Sequence, residues 1–484
     1  MSSAPDEMSA RKEIHASLEP SAAEIRRWGK AATDLLADYL ASLSERRVYP
    51  QTSALEIRER LETDLPVEGA EFARLLNIFR DVILPLSRHN AHPRMFGYVQ
   101  SPGTAVAAFA DLLASALNAN LTAWRSAPAA VELERVTLEW VKQILGLESQ
   151  SGGLFVSGGS MANLAALAAA RTAKVAPHDF PRARIYASAE THHSIVKAAA
   201  LLGLGRESVR LLPVDDRFKV RVDDLIASIT ADRARGDLPF CLVANAGTVA
   251  TGAVDPIAEL RDIAERFGLW LHVDASYGGF ATLAPQAREL FNGIAEADSV
   301  ALDPHKWLYL PVDCGCVFYR DAESARAAFA HTAEYTRVLD LRDDEAFAFW
   351  DYGPELSRRF RALKVWMLLK GVGTRALGEA IESNLTSARH LEALVRESDD
   401  FEMLAPVELS IFCFRYRPKT SSEVELDELN ERLLVALQRD GSSYLSNAKI
   451  NGRFALRGCV LNYRTTLHDM EKLLNDLRRV ALAL

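Results

Sequence analysis

Leu269-Trp270-Leu271-His272-Val273-Asp274-Ala275-Ser276-Tyr277-Gly278-Gly279, and after it Ser299-Val300-Ala301-Leu302-Asp303-Pro304-His305-Lys306-Trp307, decide how this chain is read. Each stretch is a short apolar run that stops at an acid. Such runs mark strands buried on both faces, as in a parallel sheet. A carboxylate that ends a buried strand is costly unless a cation or strong donors meet it. A protonated ring nitrogen of a cofactor would be such a partner for Asp274, although a helix cap or a structural acceptor explains a single aspartate equally well. Lys306 follows the second run, between His305 and Trp307. A lysine in that setting can shed its proton and act as an amine nucleophile, whereas a lone lysine is more commonly a surface charge.

The same alternation extends on both sides. Ala-rich helical stretches at 103–119, 128–146, 160–174, 192–203 and 255–267 separate apolar runs at 154–156, 185–187, 209–212, 241–244, 269–273, 299–302 and 315–319. This predicts an α/β domain with a mainly parallel sheet over residues 94–360, whose ligands sit beyond the carboxyl ends of its strands. Residues 1–93 read as helices. From Ser21 onward, Ile25, Trp28, Ala32, Leu35, Leu36, Tyr39, Leu40 and Leu43 recur at helical spacing. Ser53 has the place of an N-cap with Glu56 at the capping-box position, and a third helix is expected over 69–84. So short a segment cannot bury its apolar stripes alone, so it is expected to pack on another domain or subunit. A helix at 359–370 leads into residues 361–484, a small α+β domain with strands at 409–416 and 454–462 and helices at 423–440 and 467–483.

Composition narrows the classes. The 484 residues are 49% apolar and 25% charged, which excludes a disordered or collagen-like chain. A net charge of −9 and a pI of about 5.8 argue against a surface that coats nucleic acid or an anionic membrane. No apolar stretch approaches membrane-spanning length, and the N-terminal MSSAPDEMSARKEIH lacks the apolar core of a signal. Cys241, Cys314, Cys316, Cys413 and Cys459 are scattered and odd in number, so they are expected as reduced thiols of a cytoplasmic protein, with no metal site.

Two more strand ends carry polar chemistry. In Phe155-Val156-Ser157-Gly158-Gly159-Ser160 a strand runs into glycines and then into an Ala/Leu-rich helix. Glycine lets backbone approach a ligand, and the free N–H groups of a helix start attract an anion such as phosphate. Taken alone it is also a plain strand-to-helix turn. Glu190-Thr191-His192-His193-Ser194 follows the strand at 185–187 and opens a helix, which puts a flat imidazole at a strand end. A phosphate cradle, an aromatic stacker, a carboxylate for a ring nitrogen and a reactive lysine are together the parts that hold pyridoxal 5'-phosphate (PLP).

With those residues in place, the sequence resembles the group II PLP-dependent decarboxylases, most closely the aromatic-L-amino-acid decarboxylases. The resemblance runs through HPRMFGYVQSP, AWRSAPAAVELE, HVDASYGG, DPHKW and GRFALRGCVLNYRTT. It implies the PLP-dependent transferase-like fold of type I and a homodimer with its active site at the subunit interface. It implies that Lys306 forms the imine with the cofactor aldehyde and that Asp274 pairs with the pyridine nitrogen. His192 matches the imidazole that stacks on the cofactor ring, and Ser276 lies beside the cofactor. Gly159 and Ser160 match the phosphate loop, with Thr248, Asp303 and His305 nearby. Ser101 and Trp124 fall in segments that line the substrate pocket, and His192 borders it too. Tyr335, in HTAEYTRV, matches the mobile-loop tyrosine that delivers a proton after decarboxylation. Ser357 stands where plant relatives distinguish phenolic from indolic substrates, which favours a tyrosine- or DOPA-like side chain.

The implied reaction is loss of carbon dioxide from an L-amino acid, most closely an aromatic one, to give the amine. The alternatives are an aromatic aldehyde synthase and a decarboxylase of a non-aromatic amino acid such as glutamate or 2,4-diaminobutyrate. His192 together with Tyr335 speaks against the first. Arg358, Arg359 and Arg361 read as structural ion-pair partners rather than readers of an acidic side chain. The chain departs from the family pattern at Val249, where many members carry a threonine, and at Asp303, where animal members carry asparagine. A carboxylate at 303 would repel a phosphate unless a neighbour neutralises it.

Overall fold

The computed structural model describes residues 18–61, 64–331, 345–419 and 422–484. Toward the N-terminus of the described residues lie helices α1 (Ala22–Ala41), α2 (Ala54–Arg60) and α3 (Phe72–Ile78). Ser21 and Glu24 close a capping box on α1. Ser53 caps α2 by accepting the Glu56 N–H at 3.2 Å, but the Glu56 carboxylate turns to Thr52 and Arg60, so only half of the expected box forms. α1 buries none of its residues, and Ile25, Leu75 and Phe79 stay exposed along this segment.

Helices α4 (Ala105–Leu117) and α5 (Pro128–Leu145) precede the main sheet. That sheet holds β1 (Gly152–Val156), β2 (Ala183–Ser188), β3 (Val209–Leu212), β4 (Leu238–Asn245), β5 (Trp270–Asp274), β6 (Ser299–Leu302) and β7 (Gly315–Tyr319) in the order β1-β7-β6-β5-β4-β2-β3. Every pairing from β3 across to β6 is parallel, and only β7, between β6 and β1, runs the other way. The carboxyl ends of β1, β2, β4, β5 and β6 therefore share one edge. Helices α6 (Gly159–Lys174), α7 (His193–Leu201), α8 (Val222–Ala234), α9 (Ile257–Phe267) and α10 (Pro304–Trp307) connect the strands, and α11 (Ala322–Phe329) follows β7. β5, β6 and β7 are buried at every position, which is why these strands appear in the sequence as unbroken apolar runs.

The expected helix at 359–370 is the start of a much longer one, α12 (Ala362–Arg396), interrupted only at Gly373. It leads to a second, antiparallel sheet of β8 (Phe401–Met403), β9 (Ile411–Tyr416), β10 (Ser446–Ile450) and β11 (Arg453–Cys459), packed with α13 (Glu423–Asp440) and α14 (Leu467–Ala481) around its own core. All five cysteines are free and buried, and no helix among the described residues is long and apolar enough to cross a membrane.

β1, which delivers the chain to the glycine turn, is pinned by a buried ion pair. Arg358, 2% exposed, donates to the carbonyls of Leu121 (3.0 Å) and Phe155 (2.8 Å) and to the Glu134 carboxylate on α5. The same Glu134 oxygen accepts the Phe155 N–H at 3.1 Å. Arg361 pairs with Asp313 and Glu355, and Arg359 with Asp111, so these arginines serve the scaffold. Glu134→Ala would strand the Arg358 charge, and we expect it to destabilise the fold by about 3–5 kcal/mol. Urea denaturation checks this, and a loss below about 1 kcal/mol, the scale of an exposed pair, would contradict it.

Candidate active site

At the shared strand edge lies a cavity of about 350 Å³ whose walls include Gly159, Ser160, His192, Thr248, Asp274, Ser276, Asp303, His305 and Lys306. Strand ends scattered over the sequence are thus brought to one place by the sheet order. Past Ser157 and Gly158, which follow β1, Gly159 starts α6. A Cβ there would collide with Ser276 Oγ and Asp303 Oδ2, so the turn packs against both only as glycine. Gly315 of β7 is constrained likewise, since its Cβ would run into the backbone of Gly158.

Asp274 ends β5 and is 7% exposed. Its Oδ2 accepts from Asn163 Nδ2 at 2.8 Å and its Oδ1 from the Ser276 N–H at 3.1 Å. Burial by itself pushes this carboxyl up. Hydrogen bonding from Ser276, the positive charge nearby and the Asn163 bond outweigh it and hold the group below its ordinary value, so it stays an anion.

Lys306 lies on α10, a single turn that begins at Pro304. Its Nζ is 2.9 Å from Asp303 Oδ2, so the carboxylate expected to repel a phosphate is neutralised by the lysine beside it. Trp307, fully buried, anchors the turn by stacking on Tyr277 with ring centres 5.0 Å apart. His305 Nδ1 bonds the Cys314 carbonyl at 2.7 Å, and the His305 carbonyl accepts from Ser101 Oγ at 2.8 Å. Thr248 Oγ1 pairs with Thr251 Oγ1 at 3.0 Å. Val249 sits beside it at the rim, 42% exposed, and offers no side-chain donor.

Ser101 bonds the His305 carbonyl behind the site, and none of Ser101, Trp124 and Ser357 lines the cavity itself. Trp124 packs against the large core and Ser357 is exposed. Tyr335 lies outside the described residues. Asn163 bonds Asp274, Ser194 bonds His192 and Asn245 lines the cavity, three contacts not expected from the sequence. The signal for Asn163 was an amide alone on the Ala/Leu-rich face of α6; for His272 it was an imidazole inside an otherwise apolar strand.

The donor set fits PLP. The cavity offers an anionic carboxylate, an amine, a flat imidazole, and a helix start that only glycine can pack closely. Ser276 Oγ and Asp303 Oδ1 are buried there without a hydrogen-bond partner, which leaves polar capacity for a bound group.

The sheet order and this cavity define a type I PLP enzyme. Residues 55–417 match the pyridoxal-dependent decarboxylase conserved domain. The chain is 36% identical over 465 residues to an aromatic-L-amino-acid decarboxylase of Bacillus atrophaeus, covering 96% of this chain and 97% of that one. It is 30% identical over 445 residues to a phenylacetaldehyde synthase of Arabidopsis thaliana, covering 90% and 91%. The solved structure of Oryza sativa TDC with PLP and tryptamine superposes with a TM-score of 0.92 at 30% identity, over 96% of this chain and 99% of that one. The chain belongs to the pyridoxal-dependent decarboxylase family, and it is a PLP-dependent amino-acid decarboxylase.

Burial also dictates a pH dependence. His272, fully buried, is pushed down from 6.5 to about 4, and His92 likewise to about 4, in both cases chiefly by burial. The unfolded chain takes up these protons at higher pH than the folded one. The stabilisation is therefore complete above pH 6.5 and is lost as pH falls toward 4. For His272 the loss amounts to about 3 kcal/mol. Urea midpoints between neutral pH and pH 4 should fall, and His272→Gln should flatten part of that slope; equal slopes in both proteins would contradict it.

Proposed function

We propose that this enzyme removes carbon dioxide from an aromatic L-amino acid to give the corresponding amine. The observation that carries the reading is the convergence of Lys306, Asp274 and the Gly159 turn on one cavity, in a chain most of whose length aligns with aromatic-L-amino-acid decarboxylases. PLP, when bound, supplies a conjugated ring that takes up the electrons left behind as carbon dioxide departs. Gly159 and Ser160, at the start of α6, would hold its phosphate through helix N–H groups, with Thr248 on the same cavity wall. Asp274, kept ionised, holds a proton on the pyridine nitrogen and so stabilises charge that develops in the transition state. Lys306 Nζ, with Asp303 as its counter-charge, would be the amine that holds the cofactor aldehyde, and His192 would offer it a flat imidazole. Tyr335 is proposed as the donor of the proton that replaces the lost carboxylate.

The engagement of Arg358, Arg359 and Arg361 in scaffold ion pairs leaves them poor readers of an acidic side chain and favours the aromatic class. We further propose a homodimer. It is supported by the unburied α1 and by Phe109, Leu112, Leu113 and Leu117, which leave an apolar face of α4 exposed.

The likeness to a phenylacetaldehyde synthase makes an aldehyde-forming reaction the competing reading. A screen of amino acids for carbon dioxide release, with amine, aldehyde, ammonia and peroxide measured together, separates the two: amine from tyrosine- or DOPA-like substrates is expected, and aldehyde with peroxide as the main products would overturn the reading. Asp274→Asn should retain cofactor yet lose about a hundredfold or more in kcat; near-normal turnover would remove the electron-sink role. Tyr335→Phe should divert product from amine toward aldehyde, and unchanged amine output would exclude Tyr335 as the donor.

A further inference from the structure

Behind the cavity, a chain of side-chain hydrogen bonds joins β5 to α7. Trp270 Nε1 bonds Ser299 Oγ at 2.8 Å, and Ser299 Oγ bonds His272 Nδ1 at 2.9 Å. His272 Nε2 bonds Asn163 Oδ1 at 2.9 Å. Asn163 Nδ2 reaches both Asp274 Oδ2 at 2.8 Å and Ser194 Oγ at 2.9 Å. Ser194 Oγ bonds His192 Nδ1 at 2.6 Å, and the Ser194 N–H points at the same nitrogen at 3.3 Å.

The two ends of the chain fix every proton in it. An ionised carboxylate only accepts, so the Asn163 amide faces Asp274 with its NH2 and faces His272 with its oxygen. His272 Nε2 must then be the donor. Indole only donates, so Ser299 Oγ accepts from Trp270 and gives its own proton to His272 Nδ1. On the other side, Ser194 Oγ accepts the second Asn163 proton. His192 Nδ1 meets a backbone N–H, which has no acceptor to offer, so Nδ1 cannot carry a proton and the hydroxyl of Ser194 donates to it as well. In effect His192 caps α7 with its own ring.

We propose that Asn163 and Ser194 are positioning residues that fix the proton of His192 on Nε2, so that the ring meets the cavity as a neutral hydrogen-bond donor. Nδ1 is fully engaged at the helix start, and His192 borders the cavity. The same amide ties this proton to the ionised state of Asp274. For catalysis, the consequence rests on the function proposed above. A neutral N–H can hold a substrate carboxylate without the attraction of a full ion pair, so less ground-state stabilisation is lost when carbon dioxide leaves.

The test is a long-range proton–nitrogen correlation spectrum of the full-length holoenzyme labelled with 15N-histidine, with His192 assigned by its absence in His192→Gln. A protonated Nε2 and an unprotonated Nδ1 are expected at neutral pH. In Ser194→Ala the Nδ1 resonance should move downfield as its hydroxyl donor is lost, and kcat should fall about tenfold. Asn163→Ala should move the resonances of both His192 and His272. A proton on Nδ1 of His192 in the wild-type enzyme, which needs no variant to observe, or an unmoved Nδ1 in Ser194→Ala, would overturn the proposal. The spectrum is read without turnover, so a failure of the decarboxylase reading shows separately as absent carbon dioxide release.

Discussion

A carboxylate buried at the end of a strand must be met by donors or lose its charge, and the site is built around satisfying Asp274. The Ser276 N–H and the Asn163 amide meet its two oxygens directly. Together with the positive charge nearby, these hydrogen bonds outweigh the penalty of burial, so an anion persists where water has little access. That anion is what makes the cavity suited to a protonated aromatic nitrogen. The same anion orients Asn163, and through it His272 and Ser194. Together with the Trp270 indole and the Ser194 N–H, which only donate, that charge sets the direction of the whole hydrogen-bond chain.

The scaffold serves this arrangement by holding strand ends in register. Arg358 and Glu134 lock β1 to α5, so the glycine turn starts from a fixed point. The turn can press against Ser276 and Asp303 only because position 159 lacks a Cβ. On the other side, Trp307 stacked on Tyr277 fixes the single turn that carries Lys306. The lysine itself is left with one close carboxylate, Asp303, rather than buried in a hydrogen-bond cage.

Much of this was legible in the sequence because of how the strands are buried. Strands covered on both faces leave continuous apolar runs, and β6 and β7 appear at the bounds the runs suggest. Polar residues at the ends of such runs stand out, which is how Asp274, Lys306 and the Gly159 turn were found. β10 escaped because it reads Ser-Asn-Ala-Lys-Ile, with Asn447 and Lys449 exposed, and β8 because three residues carry no period. The chain through Asn163, Ser194, His272 and Ser299 was invisible for another reason. Its members are polar residues far apart in sequence, Asn163 and His272 by 109 positions, and they meet only when α6 crosses over β5. The reach of Ser101 to the His305 carbonyl is likewise a contact of tertiary folding, not of pattern.

The most direct measurement is where the cofactor attaches. The protein is purified with PLP, reduced with borohydride, digested, and its peptides are weighed. The reduced cofactor mass is expected on the peptide carrying Lys306, together with loss of the yellow colour. That mass on another lysine, or on none, would contradict the assignment of this cavity as the active site.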